Sequence, residues 1–227
     1  MKTSLDGQAQ YLLPIVNMLE HTGSYFMNPI VGENISIKYD GEIHCVATGK
    51  KIKKAFGEGL SYEAFMKSPL NSPSIIRPEL SRIHEGIALR DAAWEEEHHN
   101  KPHYVYLSRT SNIKVGVTRN TNIPSRWIDQ GATEAIILAE TPYRQLAGLI
   151  EVALKDHLAD KTNWQAMLKN ITNDNTDLVE KKNEVLDYLP EEFHDFVFDD
   201  DSITYIDYPV LSYPDKVKSL KLDTTRI

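Results

Sequence analysis

The clearest alternation of apolar and polar positions runs from His103 to Asn170. In His103–Ser108, Val105 and Leu107 share one strand face while Tyr104 and Tyr106 share the other. Arg109–Asn112 predicts a turn, and Ile113–Thr118 predicts a second strand that pairs back. Gly116 inside that strand gives up packing, so either the backbone bulges there or something approaches it closely. Pro124 and Gly131 bracket a short helix, Ser125–Gln130, that carries Arg126. Ala135–Glu140 reads as a third strand, buried on both faces. Thr141 as N-cap and Pro142 at the first helical position open a helix to about Leu158. One face of that helix, Leu146, Leu149, Ile150, Ala153 and Leu154, reads as core. The other holds Arg144, Ala147, Gly148, Glu151 and Lys155, with two small residues where a ligand backbone can come close.

The flanks are less regular. The first thirty residues give no clean period. Asn34 onwards predicts a β-hairpin at about 35–47, built from ISIKY, an Asp40-Gly41 turn and EIHCVA. Residues 56–78 are rich in Gly, Ser and Pro, which predicts a surface path with one short helix near Tyr62–Met66. Glu79–Glu97 favours helix and leads into EEEHHNKPH, read as an exposed charged loop or, through His98, His99, His103 and Glu95–Glu97, as a metal site. Asp177–Leu189 predicts a polar helix ending at Pro190. Phe196–Phe198, Ile203–Tyr208 and Val217–Leu222 are strand candidates without an evident partner, able to complete the N-terminal β region. The expected architecture is α+β: a β-rich region at 1–100, a central three-stranded β-β-α-β-α module at 101–170, and an acidic, β-containing segment at 171–227.

Charge sharpens this division. The net charge is −8, against broad attraction to polyanions. Residues 101–170 nevertheless carry nine basic and six acidic side chains, while residues 171–227 carry six and fourteen. Cys45 stands alone, so no internal disulfide forms, and a reducing, cytoplasmic setting is the simplest expectation. No apolar run is long enough for a bilayer, and no membrane partner is expected.

Two resemblances follow from these residues. PELSRIHEGIALRDAAW, HYVYL, KVGVTR, IPSRWIDQGA, AGLIEVALK and DKTNW, within about 78–168, resemble the bacterial family called domain of unknown function 2797. That family usually carries several cysteines that look like zinc ligands. Here Thr48 and Leu80 are among the positions lacking one, so no structural zinc is expected. Its chains also continue past Leu222, which reads LDTTRI as a truncation. More widely, the chain is similar to the GIY-YIG nuclease superfamily in Val105-Tyr106-Leu107, Lys114-Val115-Gly116, Arg126, Glu151 and Asn163. Lys114 stands where that superfamily usually has a tyrosine.

The second resemblance implies nucleic acid as partner and Mg²⁺-dependent phosphodiester cleavage. Glu151 would hold the metal, Arg126 would fork onto phosphate oxygens, and Tyr106 or a desolvated Lys114 would take the water's proton if its pKa is lowered. Asn163 completes the candidate set. Each has a structural alternative: Glu151 pairing with Lys155, Arg126 bracing Asp129, Tyr106 as core, Lys114 as a solvated strand lysine, Asn163 as a cap. Trp127 and Trp164 read as core anchors in preference to base-stacking platforms. The competing functional reading is a degenerate scaffold that binds or regulates and cuts nothing.

Overall fold

A computed structural model describes residues 1–16, 22–36, 38–158 and 162–218. The chain folds as α+β. Its first strands, β1 (Lys2–Asp6), β2 (Gln8–Val16) and β3 (Thr22–Phe26), form an antiparallel meander. Leu5, Ala9 and Tyr11 project from it toward the rest of the molecule. The expected hairpin at 35–47 forms differently. The Asp40-Gly41 turn is present, with Gly41 at φ +86° and Asp40 Oδ1 accepting from the Glu42 amide at 2.9 Å. Residues 34–36 and 38–39 form no strand before it, and Ile37 lies outside the described residues. Instead β4 (Ile43–His44) pairs forward with β5 (Lys51–Ile52). The reversal is made at Cys45–Gly49, whose Thr48 and Gly49 amides donate to the Cys45 carbonyl.

Residues 56–102 pack more closely than a surface path. Ser61 caps α1 (Tyr62–Lys67), α2 (Pro73–Ile76) follows, and Ser72, Ser74, Pro78 and Ser81 are buried. Helix α3 (Ala92–His99) forms the end of the helix expected over Glu79–Glu97 and runs into the expected loop, while residues 81–91 take turns and a short 3-10 helix instead. Its Glu95 is fully buried because the carboxylate accepts the Leu89, Arg90 and Asp91 amides, which satisfies a charge that burial would otherwise penalise. Nearby histidines are engaged too: His98 bonds the Trp94 carbonyl, His99 bonds Ser81 Oγ at 3.1 Å, and His103 bonds the Lys101 carbonyl at 2.7 Å.

The central sheet combines β6 (His103–Arg109), β7 (Ile113–Arg119), β8 (Glu134–Thr141) and β9 (Thr204–Tyr205) in the order β7-β6-β8-β9, all antiparallel. It therefore has four strands, the last from the C-terminal segment. Helix α4 (Ser125–Asp129) precedes β8, and α5 (Arg144–Leu154) follows it. Thr141 does not cap α5; it stays in β8, and its hydroxyl donates to the His103 and Tyr143 carbonyls. Two short helices complete the fold, α6 (Trp164–Leu168) and α7 (Leu178–Leu186), the latter capped by Asp177.

Strand alternation sends β6 side chains to two cores. Val105 and Leu107 join Ile150 and Leu154 of α5 and Leu178 and Val185 of α7. Tyr106 joins Trp127 and Ile128 of α4, Ala9 of the meander and Ile206. Both cores thus draw on the terminal segments. The Ala9 amide donates to the Asp207 carbonyl at 2.8 Å, and the Phe198 amide to Leu138. Phe196–Phe198 contributes only a bridge at Val197. Buried Lys182 ties the acidic turn to α7 through the Phe198 and Asp200 carbonyls and Asp201. Val217–Lys218 is not a strand, and residues 219–222 lie outside those described.

Candidate functional site at the β7 edge

The site forms where β7, the outer strand, meets α4 and α5. Gly116 lies directly opposite Tyr106 in the β6–β7 register. A Cβ there would stand 2.6 Å from the Tyr106 hydroxyl, so the close approach is made by the chain's own tyrosine ring. The register shift in this sheet falls instead between Val105 and Tyr106, opposite β8. Gly148 of α5 is likewise used internally. A Cβ on it would meet the Pro78 carbonyl carbon at 2.6 Å, so the turn at Pro78–Leu80 lies against the helix where a ligand backbone was expected. That contact carries Glu79 to the side of Glu151. Arg144 secures the same segment by donating to the Ser74 and Ile75 carbonyls, both at 3.0 Å.

Tyr106 has no exposed surface. Its hydroxyl lies 2.9 Å from the Gln130 amide. With that amide oriented to pair donors with acceptors, its nitrogen donates to Tyr106 and its oxygen accepts from Arg126 Nη2 at 3.1 Å and Nε at 3.3 Å. Gln130 thus joins the buried tyrosine to an exposed arginine. Burial pushes the Tyr106 hydroxyl up to about 12, although the Arg126 guanidinium pulls it down. This reverses the lowered value that a proton-accepting tyrosine requires.

Glu151 lines a cleft of about 250 Å³ with Arg77, Glu79, Val115 and Lys155. Burial raises its carboxyl to about 6, Arg144 opposes that, and Glu79 adds to it. Lys155 shares the cleft, yet the Glu151–Lys155 ion pair of the alternative reading is not closed among the described residues. Lys114 is half-buried and donates to Thr162 Oγ1 at 3.0 Å. Burial, helped by the Arg126 charge, lowers its pKa.

Four of the five candidates therefore act on one another: the Arg126 charge influences Tyr106, Lys114 and Glu151. Asn163 is different. Its side chain caps α6 by accepting from the Ala166 amide at 3.1 Å, and its own amide donates to Ser111 Oγ. Arg126 does not brace Asp129, whose carboxylate accepts from Thr3 Oγ1 at 2.9 Å. Gln130, Arg144 and Glu79 extend the set read from sequence. Gln130 was detectable as the fourth residue after Arg126 on a helical face, whereas Glu79 reaches the site only through tertiary packing. Trp127 is a core anchor; Trp164 is 47 % exposed.

Over residues 32–227 the chain matches the family described as Protein of unknown function (DUF2797). It belongs to that family. No curated protein matches the chain, and no solved structure matches it. In this DUF2797 protein no helix among the described residues is long and apolar enough to cross a membrane.

Proposed function

We propose that this DUF2797 protein binds nucleic acid at the β7 edge and supports Mg²⁺-dependent phosphodiester cleavage there. The observation that carries the reading is the Glu151 carboxylate, raised to about 6 and without a closed ion pair among the described residues, set among basic side chains from several elements of a chain whose net charge is −8. Resemblance to the GIY-YIG arrangement in the strand, strand, helix, strand, helix order supports it.

Arg126 is exposed and offers the free side of its guanidinium to phosphate oxygens, while Gln130 fixes the other side. Tyr106 keeps its proton at neutral pH and serves as an anchor for that arrangement. Lys114, half-buried with its ammonium donating to Thr162, adds its charge to the same edge for phosphate oxygens. Glu151 fits Mg²⁺ as a single carboxylate in a cleft with room for a hydrated ion; no group of three or more His, Cys, Asp or Glu forms a cage among the described residues. When bound, Mg²⁺ would polarise the phosphate and relieve charge on the leaving oxygen.

The test is nicking of supercoiled DNA and of structured RNA with Mg²⁺ or Mn²⁺, compared with Glu151→Gln. Loss of cleavage in the variant supports the reading; cleavage that survives the change assigns it to another site or a contaminant. Burial of Tyr106 favours a second reading, a scaffold that binds without cutting. Salt-sensitive binding with no cleavage by either form would select it.

A further inference from the structure

Next to the segment that receives the Lys114 ammonium, the fold leaves a large aromatic side chain open. Trp164 is 47 % exposed, unlike Trp127, which is 3 % exposed in the core. Its position is fixed from both sides. Just before it, Thr162 receives the Lys114 ammonium at 3.0 Å and lies 3.2 Å from Thr110 Oγ1, and the Asn163 amide donates to Ser111 Oγ at 2.9 Å. The start of α6 is thereby pinned to the β6–β7 turn. Three residues later, Met167 lies over Gly131, where a Cβ would meet its sulfur at 2.5 Å. Gly131 directly follows Gln130, the residue that holds Arg126. Residues three apart lie on one side of a helix, so Trp164 stands between the Lys114 anchor and the end of α4.

We propose that Trp164 is a stacking platform for an unpaired base, which makes the preferred ligand a single-stranded or locally unpaired polynucleotide. The inference rests on the phosphate-gripping hollow proposed above. It adds that the hollow is read together with a base face. Lys114 and Arg126 hold the backbone, and the indole takes the adjoining base, which a stacked duplex would keep within its own helix. Base stacking tolerates any sequence, because every base has a π face. Binding should therefore depend on strandedness more than on sequence.

The experiment is fluorescence anisotropy of a short labelled single-stranded DNA, the matching RNA, a blunt duplex of the same sequence, and a single strand carrying abasic sites. Wild-type protein, Trp164→Ala, Trp164→Phe and Arg126→Ala are compared at low and at higher salt, with thermal stability measured for each. The expected result is about tenfold weaker single-strand binding for Trp164→Ala, with binding largely kept by Trp164→Phe and under about twofold change on duplex or abasic strand. If Trp164→Ala binds every ligand as wild type does while Arg126→Ala weakens all of them, the stacking inference is overturned and the hollow stands. If no polynucleotide binds in a salt-sensitive way, both fall. A preference between DNA and RNA identifies which polynucleotide is the ligand.

Discussion

Removing the Glu151 charge should stabilise this protein, and only in a defined pH range. Burial raises the carboxyl from its ordinary 4.5 to about 6. A carboxyl raised on folding binds its proton more tightly in the folded state, so its contribution is fully present below pH 4.5 and is lost as pH rises through 6. At pH 7.5 the ionised group is then held at a cost of about 2 kcal/mol, or about 1–2 kcal/mol after allowance for its partial exposure. Glu151→Gln keeps the shape and removes the charge. It should therefore raise stability by about 1–2 kcal/mol at pH 7.5, roughly 2–8 °C in Tm for a chain of this size, and by almost nothing at pH 4.5. The assay is urea or thermal denaturation of both proteins across that range. A variant equal to or less stable than wild type at pH 7.5, or a difference independent of pH, would refute the reasoning.

Other consequences follow from particular contacts. Burial lowers His99 to about 3 and His103 to about 4, so their contribution is present above pH 6.5 and is lost as pH falls toward 4; His103→Gln should flatten the fall in Tm between pH 7.5 and 5, by about 2 kcal/mol. Gly148→Ala should cost about 2 kcal/mol or more, because its Cβ meets Pro78 and Glu79 backbone that has no easy displacement; a change in the urea midpoint equivalent to less than about 0.5 kcal/mol would contradict the packing. Mg²⁺ should raise the Tm of wild type in a concentration-dependent way and leave Glu151→Gln unmoved. Lys182→Met should leave the Phe198 and Asp200 carbonyls unsatisfied and lower amide protection at 198–202, measured by hydrogen exchange.

The central module was legible because its signals are local. Alternation marks β6 and β7, Gly131 takes φ +70° after α4, and the apolar run within Ala135–Glu140 lies between two covered faces. The N-terminal meander was not, since few of its residues reach the core and Pro14 argues against a strand. Pro14 is accommodated because it pairs with Ser24 beyond the end of the β1 ladder, which stops at Leu12. The 35–47 hairpin failed for a related reason: the turn residues formed their turn, but pairing partners are a tertiary choice. Within the site, residue types could be read and their environments could not. Tyr106 reads from sequence as the first choice of proton acceptor, and only its burial, which drives its pKa up, argues against that role. Glu79 entered only because Gly148 admits a turn against α5, while Gln130, readable as the fourth residue after Arg126, showed its role only in the fold, where its amide donates to Tyr106 and accepts from Arg126.

The most direct test of the account is the salt dependence of oligonucleotide binding by wild type, Arg126→Ala and Lys114→Ala. If both side chains hold phosphates, each variant should weaken binding to every sequence and reduce the slope of log K against log salt by about 0.7 on single strands or about 0.9 on duplex. Slopes identical to wild type, or no salt-dependent binding at all, would contradict the claim that the β7 edge grips a phosphodiester.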